Sequence, residues 1–313
     1  MTLVVVGSIA FDAVKTPFGE RERMLGGSAV HFSLAASFFS DVRVVGPVGD
    51  DFGPEQYAAL HERGIATDDI EHIQGGKTFF WRGHYDYDLN TAHTDDTQLN
   101  VFGEFQPKLS DASKQADTLF LANIQPNLQS EVREQCPAAR LVGLDSMNLW
   151  IDTARDSLVK AIGAVDLVLM NDAELRMLTD ESNLMRAAAA VRMLGPRIVV
   201  AKQGEYGAAL YTEDGFFALP SYPLEEVLDP TGAGDSFAGG FLGYLDAHPD
   251  EDLAQPLLRR AMTYGSVMAS FNVEEFGTER VRRLTIDEIN HRFQAFKEMT
   301  HFEAVPLEAR ATR

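Results

Sequence analysis

DPTGAGDSFAGGF, residues 229–241, sets four glycines and two aspartates in thirteen residues and runs on into the apolar FLGYL. Ala238, Phe241, Leu242 and Leu245 fall at i, i+3, i+4 and i+7, which predicts an amphipathic helix beginning near Asp235. Gly232 and Gly234 lie just before it. A loop without β-carbons that ends at a helix N-terminus lets successive N–H groups converge on an anion, and the helix dipole favours negative charge there. The stretch therefore reads as a phosphate cradle or an oxyanion site. A carboxylate at Asp235 would repel a phosphoryl group unless it had a task, and the task that fits is taking the proton from an attacking hydroxyl.

Two other glycine motifs are excluded. A dinucleotide fingerprint needs GxGxxG after the first strand, where this chain has GSIAFD with a single glycine. GKT at 76–78 suggests a phosphate loop, but the GxxxxGK(S/T) spacing demands glycine at position 71, which is Glu71.

At 313 residues the chain can bury a large core, as one α/β domain or as a domain with a smaller appendage. A formal charge of -20 and a pI near 4.7 disfavour nucleic acid and anionic membrane surfaces as partners, which leaves small molecules as the expected ligand class. The opening MTLVVVGSIAFDA has no basic n-region and meets Asp12 after a short apolar run, so it reads as a buried strand rather than a signal peptide. No apolar run approaches the roughly 18 residues that a membrane span requires. Cys136 is the single cysteine; no internal disulfide can form, which fits a cytoplasmic location.

Short β-branched runs recur at 3–7, 42–46, 117–122, 139–145, 166–170 and 197–202, with helix-length segments between most of them. Continuous apolar strands alternating with helices predict a largely parallel sheet covered on both faces, hence an α/β fold. The stretch TFFWRGHYDYD, residues 78–88, differs. Its alternation puts Phe79, Trp81, Tyr85 and Tyr87 on one face, with Phe80, Arg82, His84, Asp86 and Asp88 on the other. It reads as an exposed strand of a small β lid, or as an edge hairpin whose aromatics pack on the core.

DPTGAGDSFAGGF resembles the signature of the ribokinase-like, or PfkB, family of sugar and nucleoside kinases. GSIAFD, LGGSAVHFSLAAS, VGPVGDDFG and the GI at 64–65 are similar to that family's substrate-side half in order and spacing, and MNDAE and AKQGEYGAAL to its C-terminal half. The resemblance implies a three-layer α/β fold with a central, mostly parallel sheet and a small β lid. It implies one kinase domain over residues 1–313, with lid strands inserted from about 12–25 and 72–106.

It further implies an ATP-dependent, Mg²⁺-requiring kinase. Asp235 would be the catalytic base, with Gly232, Ala233 and Gly234 supplying the anion hole. Asp12 would bind the substrate, with Gly26 and Gly27 letting the backbone approach; a helix cap is the plainer reading of Asp12. Asn171 and Glu174, three apart on a helical first turn, would hold Mg²⁺, or would simply cap that helix. Lys202, Gly204, Gly207 and Thr231 would line the nucleotide side, although Lys202 could equally be a surface lysine at a strand end. Where many family members read GGxxxN, this chain reads GGSAVH. His31 then either takes over a polar substrate contact or belongs to the core.

The substrate stays open among free sugar, polyol and nucleoside. In the lid, Lys77 and Arg82 are outnumbered by Asp86, Asp88, Asp95, Asp96 and Glu104, which disfavours a phosphosugar. The aromatic face could stack on a nucleobase, or could form the contact of a homodimer through two lids. The rival functions are a catalytically silent small-molecule binding protein of the same fold and a nicotinamide dehydrogenase. The intact base and anion hole argue against the first, and the missing glycines against the second.

Overall fold

The computed structural model describes residues 1–304. Strands are numbered along the chain: β1 (Thr2–Val6), β2 (Ala10–Thr16), β3 (Gly19–Gly26), β4 (Asp41–Gly49), β5 (Ala66–Ile73), β6 (Phe79–Tyr85), β7 (Ala92–Gln98), β8 (Thr118–Leu121), β9 (Leu141–Asp145), β10 (Leu167–Asn171), β11 (Ile198–Lys202), β12 (Ala208–Tyr211) and β13 (Phe216–Leu219). Nine of them form one sheet in the order β13-β12-β11-β10-β9-β8-β1-β4-β5. From β11 to β5 every pairing is parallel; β12 and β13 close one end antiparallel.

The apolar runs are continuous because both faces are covered. Leu3 and Val5 of β1 point into one core, and Val4 and Val6 into the other, all four fully buried. Leu167 and Leu169 alternate with Val168 and Met170 in the same way on β10. The first core is closed by the helices Ser28–Ala36, Ala233–Asp246 and Gln255–Asn272, whose Phe32, Phe241 and Phe271 lie within it. All six strands expected from the sequence are present, and together they make the parallel centre of the sheet.

β2, β3, β6 and β7 form a separate four-stranded sheet in the order β3-β2-β6-β7. The period-two reading of 78–88 overruns this strand. β6 ends at Tyr85, Tyr87 stands 82 % exposed beyond it, and Phe80 packs against the first core. Phe79 stacks on Phe102, so the four aromatics do not form one platform. Among the described residues no helix is long and apolar enough to cross a membrane, and Cys136 is buried and free.

Gly207 turns the chain between β11 and the antiparallel β12 with φ 97°, and a β-carbon there would lie 2.0 Å from the Leu219 carbonyl oxygen. Gly207→Ala is therefore expected to cost about 2–4 kcal/mol, from backbone strain and overlap together, read as a lowered urea midpoint.

Candidate active site

Three neighbouring parallel strands end in polar residues: β9 in Asp145, β10 in Asn171 and β11 in Lys202. They meet at the carboxyl edge of the sheet, where open α/β sheets bind ligands. The Lys202 ammonium lies 2.5 Å from Asp145 Oδ2, and both side chains are largely buried. Lys202 is thus no surface lysine. Burial opposes its charge, but Asp145, Glu174 and Asp235 outweigh that and hold its pKa above the ordinary lysine value.

The glycine loop arrives over this edge. Gly232 adopts φ 76°, ψ 0° and caps the helix Ala233–Asp246, which starts two residues before the expected position. Only glycine fits there, because a β-carbon would stand 2.3 Å from Nδ1 of His31. The Ala233 N–H turns back to the Pro230 carbonyl at 3.2 Å. Among the described residues the N–H groups of Gly232 and Gly234, unlike that of Ala233, meet no backbone acceptor.

Asp235 stands on the first turn of that helix, half-buried. Burial first, and then the neighbouring Asp145, push its pKa from 3.8 up to about 7, with Lys202 pulling the other way. Such a carboxylate is basic enough to accept a proton near neutrality.

Two anchors hold the loop. Asp229 is buried and accepts the N–H groups of Thr231 and Gly277, both at 2.9 Å. Asn272, at the end of the helix Gln255–Asn272, donates to the Thr231 carbonyl at 2.7 Å and accepts from Ser236 Oγ at 3.0 Å. His31 Nδ1 lies 3.0 Å from the same Asn272 oxygen. Since that oxygen can only accept, Nδ1 carries the imidazole proton, and burial lowers the ring's pKa and keeps it neutral. His31 is 2 % exposed beneath Gly232, with Nε2 buried and unpaired among the described residues. Of the two readings of His31, its burial and its contact with Asn272 fit the core residue that supports the loop.

Asp12 lies within β2 of the small sheet rather than in the loop after β1. Its Oδ2 accepts the N–H of Gly27, the N-cap of the helix Ser28–Ala36, at 3.3 Å. Gly26 makes room for it; a β-carbon there would lie 1.9 Å from the same oxygen. Burial, opposed by the Gly27 N–H and aided by Asp229 and Asp235, raises the Asp12 pKa to about 7. Tyr85 from β6 receives a hydrogen bond from Thr231 Oγ1 at 3.2 Å. Its hydroxyl is held protonated by burial, with Asp229, Asp12 and Asp235 adding to that. The small sheet and the glycine loop thus converge on one acidic cleft.

Asn171 and Glu174 cap their helix reciprocally, Asn171 Oδ1 accepting from the Glu174 N–H and Glu174 Oε2 from the Asn171 N–H, each at 2.8 Å. Burial and Asp145 raise the Glu174 pKa to about 7. Among the described residues no cluster of three or more His, Cys, Asp or Glu forms a metal cage. Gly204 and Gly207 bracket the short turn Gly204–Tyr206, where Glu205 Oε1 accepts from Asn90 Nδ2 of the β6–β7 connection at 2.9 Å. Asp145, Asp229 and Asn272 escaped the sequence reading. Asp145 carried a usable signal, as the aspartate that ends the strand-like ARLVGLD at the carboxyl edge.

The family model for pfkB family carbohydrate kinases matches residues 2–283. The chain is 31 % identical over 271 residues to a cytidine kinase of Thermococcus kodakarensis, an alignment that spans 83 % of this chain and 95 % of the other. A Burkholderia thailandensis nucleoside kinase solved with inosine superposes with a TM-score of 0.77 at 21 % identity, over 94 % of this chain and 97 % of that one. A candidate ribokinase II of Escherichia coli solved with ATP and Mg²⁺ gives 0.77 at 19 % identity, over 94 % and 99 %.

Proposed function

Because the chain belongs to the pfkB carbohydrate kinase family and is thereby an ATP-using carbohydrate or nucleoside kinase, we propose that it moves the γ-phosphate of ATP to a hydroxyl of a nucleoside. The observation that carries the mechanism is Asp235, raised to a pKa of about 7 beside the open N–H groups of Gly232 and Gly234. Asp235 takes the proton of the acceptor hydroxyl as that oxygen attacks the γ-phosphorus, whose bond to the bridging oxygen breaks and releases ADP. The two N–H groups and the helix N-terminus receive the charge on the transferred phosphoryl group, and Lys202 adds a fixed cation at its base. Asp12 accepts hydrogen bonds from acceptor hydroxyls, and Tyr85 closes the cleft from the small sheet. Gly204, Gly207 and Thr231 shape the nucleotide side.

Glu174 and Asp145 suit Mg²⁺, which binds oxygen and keeps most of its waters; two carboxylates crowded in a buried site gain from a divalent neighbour. When bound, the ion would neutralise ATP phosphate charge, and Asn171 would position Glu174 through the cap. A nucleoside acceptor is supported by the cytidine kinase and by the inosine-bound nucleoside kinase. A lid-to-lid homodimer has support in the outer edges of β3 and β7, which pair with no further strand among the described residues.

The test is ATP consumption with Mg²⁺ against cytidine, inosine, ribose, fructose and a polyol. Nucleoside-dependent turnover is expected, with kcat/KM for at least one nucleoside about 100-fold above any free sugar, as a polar site rejects acceptors that leave its groups unpaired. Turnover on free sugars alone overturns the nucleoside assignment.

A further inference from the structure

A cavity of about 440 Å³ opens where the root of the small sheet meets the body. β3 contributes Arg21 and Arg23, the helix Pro54–His61 contributes Glu55 and Gln56, and the segment 276–282 contributes Phe276 and Arg282. Asp12, Thr231 and Asp235 do not line it, so it is separate from the cleft described above.

Three guanidinium groups around one cavity stand out on a chain of net charge -20. Two are braced by rings: Arg23 sits 3.7 Å from the centroid of Phe11, and Arg21 sits 4.8 Å from that of Phe276. Stacking fixes the plane of a guanidinium and leaves its N–H edges free for bidentate contact. Those edges are incompletely used. Arg21 donates to the Glu20 backbone carbonyl and pairs with no carboxylate among the described residues. Among the described residues Arg282 has only long contacts, to Glu279 at 3.4 Å and Glu62 at 3.5 Å, and its Nε is buried without a partner. Arg23 is paired with Asp51 at 2.8 Å.

The geometry points to an effector site for a phosphomonoester, its dianionic group held by Arg21 and Arg282 with Arg23 beside it. Several planar forks suit a phosphoryl group with three free oxygens. The volume suits a ligand of nucleotide-monophosphate size. Glu55 and Glu279 also line the cavity; they repel bare phosphate but accept hydrogen bonds from hydroxyls, so they favour an anion carried on a hydroxylated body. Arg21 and Arg23 belong to the small sheet and Arg282 to the body, so the ligand bridges the two. Met24, next to Arg23 on β3, pairs with Asp12 across the hairpin.

Binding is measured by isothermal titration with the cleft filled by a saturating non-hydrolysable ATP analogue and cytidine, using cytidine 5′-monophosphate, glycerol 3-phosphate and inorganic phosphate as probes. At least one of the two esters is expected to bind, one molecule per chain, and more tightly than inorganic phosphate. Preference for the cytidine ester identifies the product of the proposed reaction as the effector, and equal binding identifies a general phosphomonoester site. Arg21→Ala and Arg282→Ala should each weaken the ester about tenfold, the equivalent of one charge-assisted hydrogen bond, with turnover in the absence of ester within twofold of wild type. Arg21 is exposed on an edge strand, so its variant guards against a folding defect in Arg282→Ala. Binding that disappears once the cleft is filled, that survives both substitutions, or that inorganic phosphate reproduces better than either ester overturns the assignment.

Discussion

Asp235→Asn is expected to lower kcat by about 10²–10⁴-fold, the usual contribution of general-base assistance, while ATP still binds. The amide keeps the shape at the helix N-terminus and loses only the ability to take a proton. The pH profile carries the same information. With Asp235 and Asp12 both raised to about 7, wild-type kcat/KM should climb from pH 6 and level off above pH 8, because the base must be ionised to act. The residual rate of the variant should lose the Asp235 part of that limb. Stability should move in the opposite sense. A carboxyl whose folded pKa lies above its unfolded value contributes stability below the unfolded pKa, near 4, and loses it as the pH rises through the folded value near 7. At pH 8 wild type has lost that contribution and the amide has nothing to lose, so Asp235→Asn should melt higher than wild type at pH 8 and similarly at pH 4. Full activity in the variant would remove Asp235 as the base, and a lower Tm at pH 8 would remove burial as the cause of its pKa.

The parallel sheet was legible because its strands are buried on both faces, so β-branched residues run without interruption, as in LVVV at 3–6. The glycine loop was legible for a related reason: a positive φ at Gly232 and a helix start at Ala233 both leave marks in local sequence. What was illegible depends on contacts between distant segments. Asn272 holds the loop from forty-one residues beyond Thr231, at the end of a helix that otherwise shows only a core face. His31 was a candidate substrate contact because it stands where the GGxxxN pattern has asparagine; its packing under Gly232 arises only when two helices meet. The opening MTLVVVGSIAFDA read as one buried strand, since the break at 7–9 before a second strand leaves no strong signal in GSIAFD.

Lys202 is the cation on which the acidic site depends, and Lys202→Met is expected to destabilise the protein by about 3–5 kcal/mol at pH 8, the usual effect of stripping one partner from a buried ion pair. A strand-end surface lysine would change stability by less than about 0.5 kcal/mol, so urea denaturation separates the two readings. The sign of the pH dependence follows from the groups left behind. Without the ammonium only backbone N–H groups oppose the burial that raises Asp235 and Glu174, and their folded pKa values move above about 7. Protonation then relieves the crowding, so the loss should be smaller at pH 6 than at pH 8. Combining the two substitutions tests the cluster directly. In Lys202→Met/Asp235→Asn one of the carboxylates facing the missing cation has already been neutralised. The double variant should therefore be more stable than Lys202→Met alone, by more than Asp235→Asn stabilises wild type, where Lys202 already offsets part of the Asp235 charge. Additive effects would mean that Asp235 is tuned without Lys202, which then answers to Asp145 and Glu174.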